Sequence, residues 1–149
     1  MDEIWDSIAD EAAAESPLWA DALLPNHERQ LVAVFSRLAP EQYALALESI
    51  YEGYLLHYGR PRLFEPPDDD AALLLGDYLY AHGLVRVAAL GDVEAVAALA
   101  ELISTCAHLR AEREQRDGEE WVSAARRLGG APDPAGVERA LTLHAARMA

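Results

Sequence analysis

Residues 68–92, DDDAALLLGDYLYAHGLVRVAALGD, constrain this chain more than any other stretch: three aspartates open an almost unbroken apolar run of helix length. By length the run from Ala71 to Leu90 reaches the size of a membrane span. Gly76, Asp77, His82, Gly83 and Arg86 interrupt it, however, and ionisable groups are expensive in lipid. The expectation is a helix of a water-borne bundle, with no membrane span. Asp68 or Asp69 serves as its N-cap, the acid cluster sits at the positive end of the helix dipole, Gly91 closes the C-terminus, and Asp92 caps the next helix. Only Asp77, His82 and Arg86 break the apolar surface of the run, so it needs cover on nearly all sides, and a small bundle supplies that with difficulty unless a partner helps.

The rest of the chain reads the same way. No alternating apolar and polar stretch of strand length stands out, and alanine, leucine, glutamate and arginine dominate. The fold class expected is all-α, a single-domain helical bundle over residues 1–149, with residues 1–25 as an N-terminal helical arm and 26–149 as the bundle. Helix spacing of Ile4, Trp5, Ile8 and Ala12 marks a first helix over residues 2–14. Ser16 before Pro17 starts a short second one. Leu31, Val34, Phe35 and Leu38 form an apolar stripe over residues 27–38. From Pro40 a helix then runs to about His57, with Tyr43, Leu47, Ile50, Tyr51 and Tyr54 facing the core. YGRPRLFEPP, residues 58–67, is a loop between two helical hairpins. After Asp92 a helix reaches about Glu114. A short one surrounds Trp121 to Leu128 and stops at Gly129 and Gly130, and Asp133 with Pro134 starts the last, ending near Arg147.

Charge excludes several functions. Acidic residues number 26 against 12 basic ones, for a formal charge of −14, so no nucleic-acid partner is expected. Every basic residue is arginine, which removes mechanisms that need a Schiff-base or phosphate-gripping lysine. The lone Cys106 forms no internal disulfide, and the acidic start MDEIWDSIADEAAAE lacks the pattern of a secretory signal; a cytoplasmic location is the expectation.

Metal candidates are few. Glu48 and Glu52 stand four apart on one helix, the spacing of a carboxylate pair, with His57 as the only further ligand nearby; such pairs also occur on solvated faces. Asp68, Asp69 and Asp70 suit a hard cation by chemistry, but successive helical residues point in different directions, and Asp77 lies two turns beyond Asp70. The five histidines show no zinc-type spacing, and no phosphate loop, nucleophile elbow or HExxH pattern occurs.

Residues 70–105 resemble the central part of trans-isoprenyl diphosphate synthases, the polyprenyl synthetase family. The resemblance lies in Leu74, Leu75, Gly76, Asp77, Tyr78, Leu79 and Ala81, followed by Leu90, Gly91 and Asp92, with Gly59, Arg60, Pro61 and Arg62 similar to the loop that precedes that helix. It implies a partial isoprenoid-synthase-like bundle. The chain departs from the family where catalysis resides. LESIYEGYLLHYG stands where the first aspartate-rich motif belongs, the second would fall beyond Ala149, and the diphosphate-binding lysines are missing. Ionising an allylic diphosphate needs those groups and the magnesium they hold. The resemblance therefore implies a non-catalytic small subunit of a heteromeric prenyl diphosphate synthase, not itself an enzyme and without a cofactor of its own. Magnesium would be bound by the catalytic subunit, and the small subunit would influence product chain length. It also implies an interface role for Leu75, Gly76, Tyr78, Leu79, His82, Gly83 and Arg86; the alternative is that these pack inside the monomer. A homodimer binding an apolar isoprenoid or lipid ligand without catalysis is the other functional reading.

Overall fold

A computed structural model describes residues 2–149, and these form an all-α fold. The helices are α1 (Asp2–Glu15), α2 (Pro17–Ala22), α3 (Ala44–Tyr58), α4 (Asp69–Ala89), α5 (Val93–Ala111), α6 (Asp117–Arg127) and α7 (Pro134–Met148), with single 3-10 turns at Asn26–Glu28, Ser36–Leu38 and Glu41–Tyr43. Local chemistry sets most of the ends. Ser16, Asp68, Asp92 and Asp133 each accept a backbone N–H of the first turn that follows, from Leu18, Ala71, Ala95 and Gly136. Gly91 and Gly129 adopt positive φ just past α4 and α6.

The central element is α3. Every residue from Ala44 to Leu56 except Leu45 is buried. One side of it packs with α5, α6 and α7 around Leu47, Ile50, Tyr51, Tyr54, Leu99, Cys106 and Trp121; on the other, α1, α2, α4 and the 62–64 loop gather Trp5, Ile8, Ala12, Leu63, Phe64, Leu75 and Leu79. Over its described part the N-terminal arm packs on the bundle, because α1 supplies Trp5, Ile8 and Ala12 to the core.

Against α3 lies α4, at a separation that only glycine permits. A Cβ on Gly83 would stand 2.5 Å from Ile50 Cγ1, and one on Gly53 would stand 2.8 Å from the Gly76 carbonyl oxygen. The expectation that α4 is covered nearly all round is not met within the chain, since α3 occupies the enclosed position and α4 keeps an outer face.

The helical stripe expected over residues 27–38 is also corrected. Beyond the turn at Asn26–Glu28 the backbone is irregular, and helical turns return only at Ser36–Leu38. The segment is tied to the 58–67 loop instead: Gln30 N–H donates to the Arg62 carbonyl, and Arg62 Nη1 donates to the Val32 carbonyl. A bend at residues 34 and 35 lets Val34 and Phe35 both enter the core, while Leu31, on the expected stripe, is exposed. The 58–67 loop pairs with the α2 exit through one antiparallel bridge, Leu23 with Phe64.

Candidate functional site

Three polar clusters stand out in a chain otherwise packed by apolar side chains. The first is built on Glu48 and Glu52. Both face inward from α3 and are fully buried, and the loop residue Arg62, also fully buried, fills the space between them. Arg62 Nε donates to Glu52 Oε1 at 3.0 Å and Nη1 to Glu48 Oε2 at 3.1 Å, while the guanidinium carbon lies 4.7 Å from the Trp5 ring centre and 5.0 Å from that of Tyr51. Glu52 further accepts the backbone N–H groups of Arg62 and Leu63. Burial raises the Glu48 pKa; Arg62 opposes this and the Glu52 charge adds to it, with a net upward shift.

This geometry corrects the metal reading of Glu48 and Glu52. Their carboxylates are committed to an arginine and to loop backbone, and His57 is not in the cluster. What the cluster does chemically is pin the 58–67 loop and residue 32 to the central helix. Sequence reasoning found the two glutamates and missed Arg62, whose signal was only its place in a proline-rich loop.

The second cluster joins α3, α5, α6 and α7. Asp117, buried at the start of α6, accepts at Oδ2 from Tyr54 OH at 2.6 Å, Arg110 Nη2 at 2.8 Å and His144 Nε2 at 3.0 Å. Tyr51 OH lies 2.8 Å from His144 Nδ1. Burial alone would raise the Asp117 pKa, but the bonds from His144, Tyr54 and Arg110 outweigh it and hold the carboxyl well below the usual carboxylate range. Arg110, Asp117 and His144 of the cluster line a cleft of about 520 Å³ together with Arg116, Leu141 and Met148. Carboxylate, imidazole and phenol in series resemble a proton relay, yet both nitrogens of His144 are already engaged, one by Tyr51 and one by Asp117. The phenol at the end of the series, Tyr51, is buried, and what the bonds visibly do is tie four helices together.

The third group is on α4. Leu75, Gly76, Leu79 and Gly83 are buried, turned towards α1 and α3 of their own chain. Tyr78 lies against Trp19 and stacks on His82. Arg86 and His82 both reach Glu11 of α1, the latter at 2.8 Å. These expected interface residues make contacts that hold α4 within the monomer, with Tyr78, His82 and Arg86 only half-buried. Asp77 lies 3.2 Å from His57. Asp68 is spent as the N-cap of α4, and Asp69 and Asp70 are exposed in its first turn. Among the described residues no three histidine, cysteine or carboxylate side chains gather as a metal site, and no helix is long and apolar enough to cross a membrane.

The fold and these clusters define an all-α domain whose buried charges are used in its own packing. No family model, no curated protein and no solved structure matches the chain.

Proposed function

We propose that this chain works by association, through the outer face of the α4–α5 hairpin. The observation that carries the reading is the exposure of large apolar side chains there: Leu74 is 60% exposed, Val85 64%, Leu90 52% and Val93 78%. Ala81, Ala88, Ala89, Ala97 and Ala100 are exposed on the same two helices. Single exposed apolar residues are ordinary, but a run of them along one hairpin marks a surface that another protein covers.

The partner suggested by the sequence resemblance is a catalytic prenyl diphosphate synthase subunit, which would bring the magnesium and both aspartate motifs while this chain supports it and influences product length. Co-expression of the chain with a full-length synthase from the same genome, followed by size-exclusion chromatography with light scattering, tests it. A stable mixed complex is the expected result. A homodimer that ignores the synthase would transfer the face to self-association, and a monomer under both conditions would end the reading.

A second reading, a homodimer that holds an apolar ligand, draws on a shallow groove of about 680 Å³ along α7, where Pro132, Pro134, Val137, Leu141 and Ala145 present mostly carbon. Lipid that co-purifies in native mass spectrometry is its expected signature, and a mass equal to the bare polypeptide counts against it.

A further inference from the structure

The C-terminal end of α7 meets the 58–67 loop through two arginines. Arg60 N–H donates to the Arg147 carbonyl at 3.0 Å, Arg60 Nη2 donates to the Ala146 carbonyl, and Arg147 Nη1 returns a bond to the Arg60 carbonyl at 3.2 Å. Arg147 Nη2 also reaches Gln30 Oε1. All these acceptors are uncharged. The ion pairs of the described residues take in Arg62, Arg86, Arg110, Arg116 and Arg127, and Arg60 and Arg147 are among the arginines they leave out.

What sets these two apart is that they converge on one helix end, in a chain of net charge −14, with no carboxylate side chain paired to either among the described residues. Capping the helix end accounts for part of it, because cations are favourable there. The negative pole of a helix amounts to only about half an elementary charge, though, against two guanidinium groups. Arg62 lies behind them, occupied by Glu48 and Glu52. Burial first, and then the charges of Arg62 and Arg60, lower the Arg147 pKa below its ordinary value, against a smaller opposing effect of Glu52 and Tyr51. A guanidinium carries five N–H donors, and most of those on Arg60 and Arg147 are not used by the bonds above. Beside the two side chains opens a hollow of about 200 Å³, lined by both arginines, Gln30, Val32, Val34 and Leu143.

We propose that Arg60 and Arg147 form a binding site for a small oxyanion, a phosphate or a carboxylate, whose non-polar part rests on Val32, Val34 and Leu143. The oxyanion supplies the charge that the protein withholds from these two residues, and planar guanidinium groups match its oxygens in pairs. The site is independent of the α4–α5 face and stands or falls separately from the association proposed above.

The test follows the arginine side-chain Nε–Hε NMR signals of the full chain during titration with sodium phosphate, and separately with sodium butyrate, against sodium chloride at the same ionic strength. Saturable shifts of the Arg60 and Arg147 signals are expected with at least one oxyanion and not with chloride. Butyrate as the tighter ligand assigns the site to a carboxylate with an apolar chain, and phosphate as the tighter one assigns it to phosphate or its esters. Arg60→Gln and Arg147→Gln each weaken the binding about tenfold, equivalent to roughly 1.4 kcal/mol, and Arg37→Gln leaves it unchanged. Shifts that stay linear and equal those with chloride overturn the proposal, as does saturable binding indifferent to both variants. Should a glutamine variant fail to fold, the saturation of the wild-type arginine signals decides alone.

Discussion

Arg62 and Glu52 meet twice: the guanidinium Nε donates to Oε1 at 3.0 Å, and the backbone N–H of the same arginine donates to Oε2 at 2.9 Å. One carboxylate therefore positions both the side chain and the main chain of the loop that precedes α4, with no solvent contact at either residue.

Removing the cation is expected to hurt more than removing either anion. Arg62→Met would leave Glu48 and Glu52 buried without a partner, at about 3–5 kcal/mol. Glu52→Gln should cost more than Glu48→Gln, because only Glu52 also accepts the Arg62 and Leu63 amides. Urea denaturation of the three variants gives the ranking, and an Arg62→Met protein as stable as the parent would refute the account.

The separation of α3 and α4 is expected to respond to a single methyl group. Gly83→Ala puts Cβ against Ile50 and 3.0 Å from the Ala46 carbonyl, so overpacking of about 1–3 kcal/mol should exceed the helix-propensity gain of roughly 1 kcal/mol. Gly91→Ala meets no neighbour but requires a φ of 78°, and its cost, about 1 kcal/mol, is backbone strain alone. Thermal melting of both variants, with a crystal structure of Gly83→Ala to look for displaced helices, separates the two causes.

Acid is expected to unfold the protein in part through Asp117. Its folded-state pKa lies below the ordinary value of 3.8, so its contribution to stability is fully present above that value and is lost as pH falls from there towards the lowered one. Glu48 has the opposite sign: its raised pKa favours the folded state at low pH, and that contribution fades as pH rises above its ordinary value of 4.5. Asp117→Asn should therefore flatten the acid limb of a stability profile measured below pH 4, at a lower overall stability. An unchanged acid limb would remove Asp117 from the explanation.

Surface substitutions are expected to divide association from folding. Val85→Arg and Val93→Arg alter exposed side chains and should change stability by no more than about 0.5 kcal/mol. Each should nevertheless abolish any complex made through the α4–α5 face, as read by light scattering. A complex indifferent to both places the contact elsewhere.

How much of this was legible beforehand depends on the range of each interaction. Helix ends were: Ser16, Asp68, Asp92 and Asp133 cap neighbours two or three residues away, and Gly91 and Gly129 act through their own φ. Inward-facing residues of α3 were also readable from their spacing. The 27–38 stripe misled because its apolar spacing fits a helical period, whereas the backbone before Ser36 is held irregular by bonds to Arg62, about thirty residues later.

The sequence by itself determined the all-α class and the places where most helices begin and end, because propensity and capping are written in adjacent residues. Only the tertiary structure decided that α3 and not α4 occupies the enclosed position, that Arg62 is driven into the core between two glutamates, and that Arg60 and Arg147 come together at the end of α7. Each of these depends on segments distant in the chain meeting in space, and on the balance between desolvating a charge and satisfying it, which no local pattern encodes.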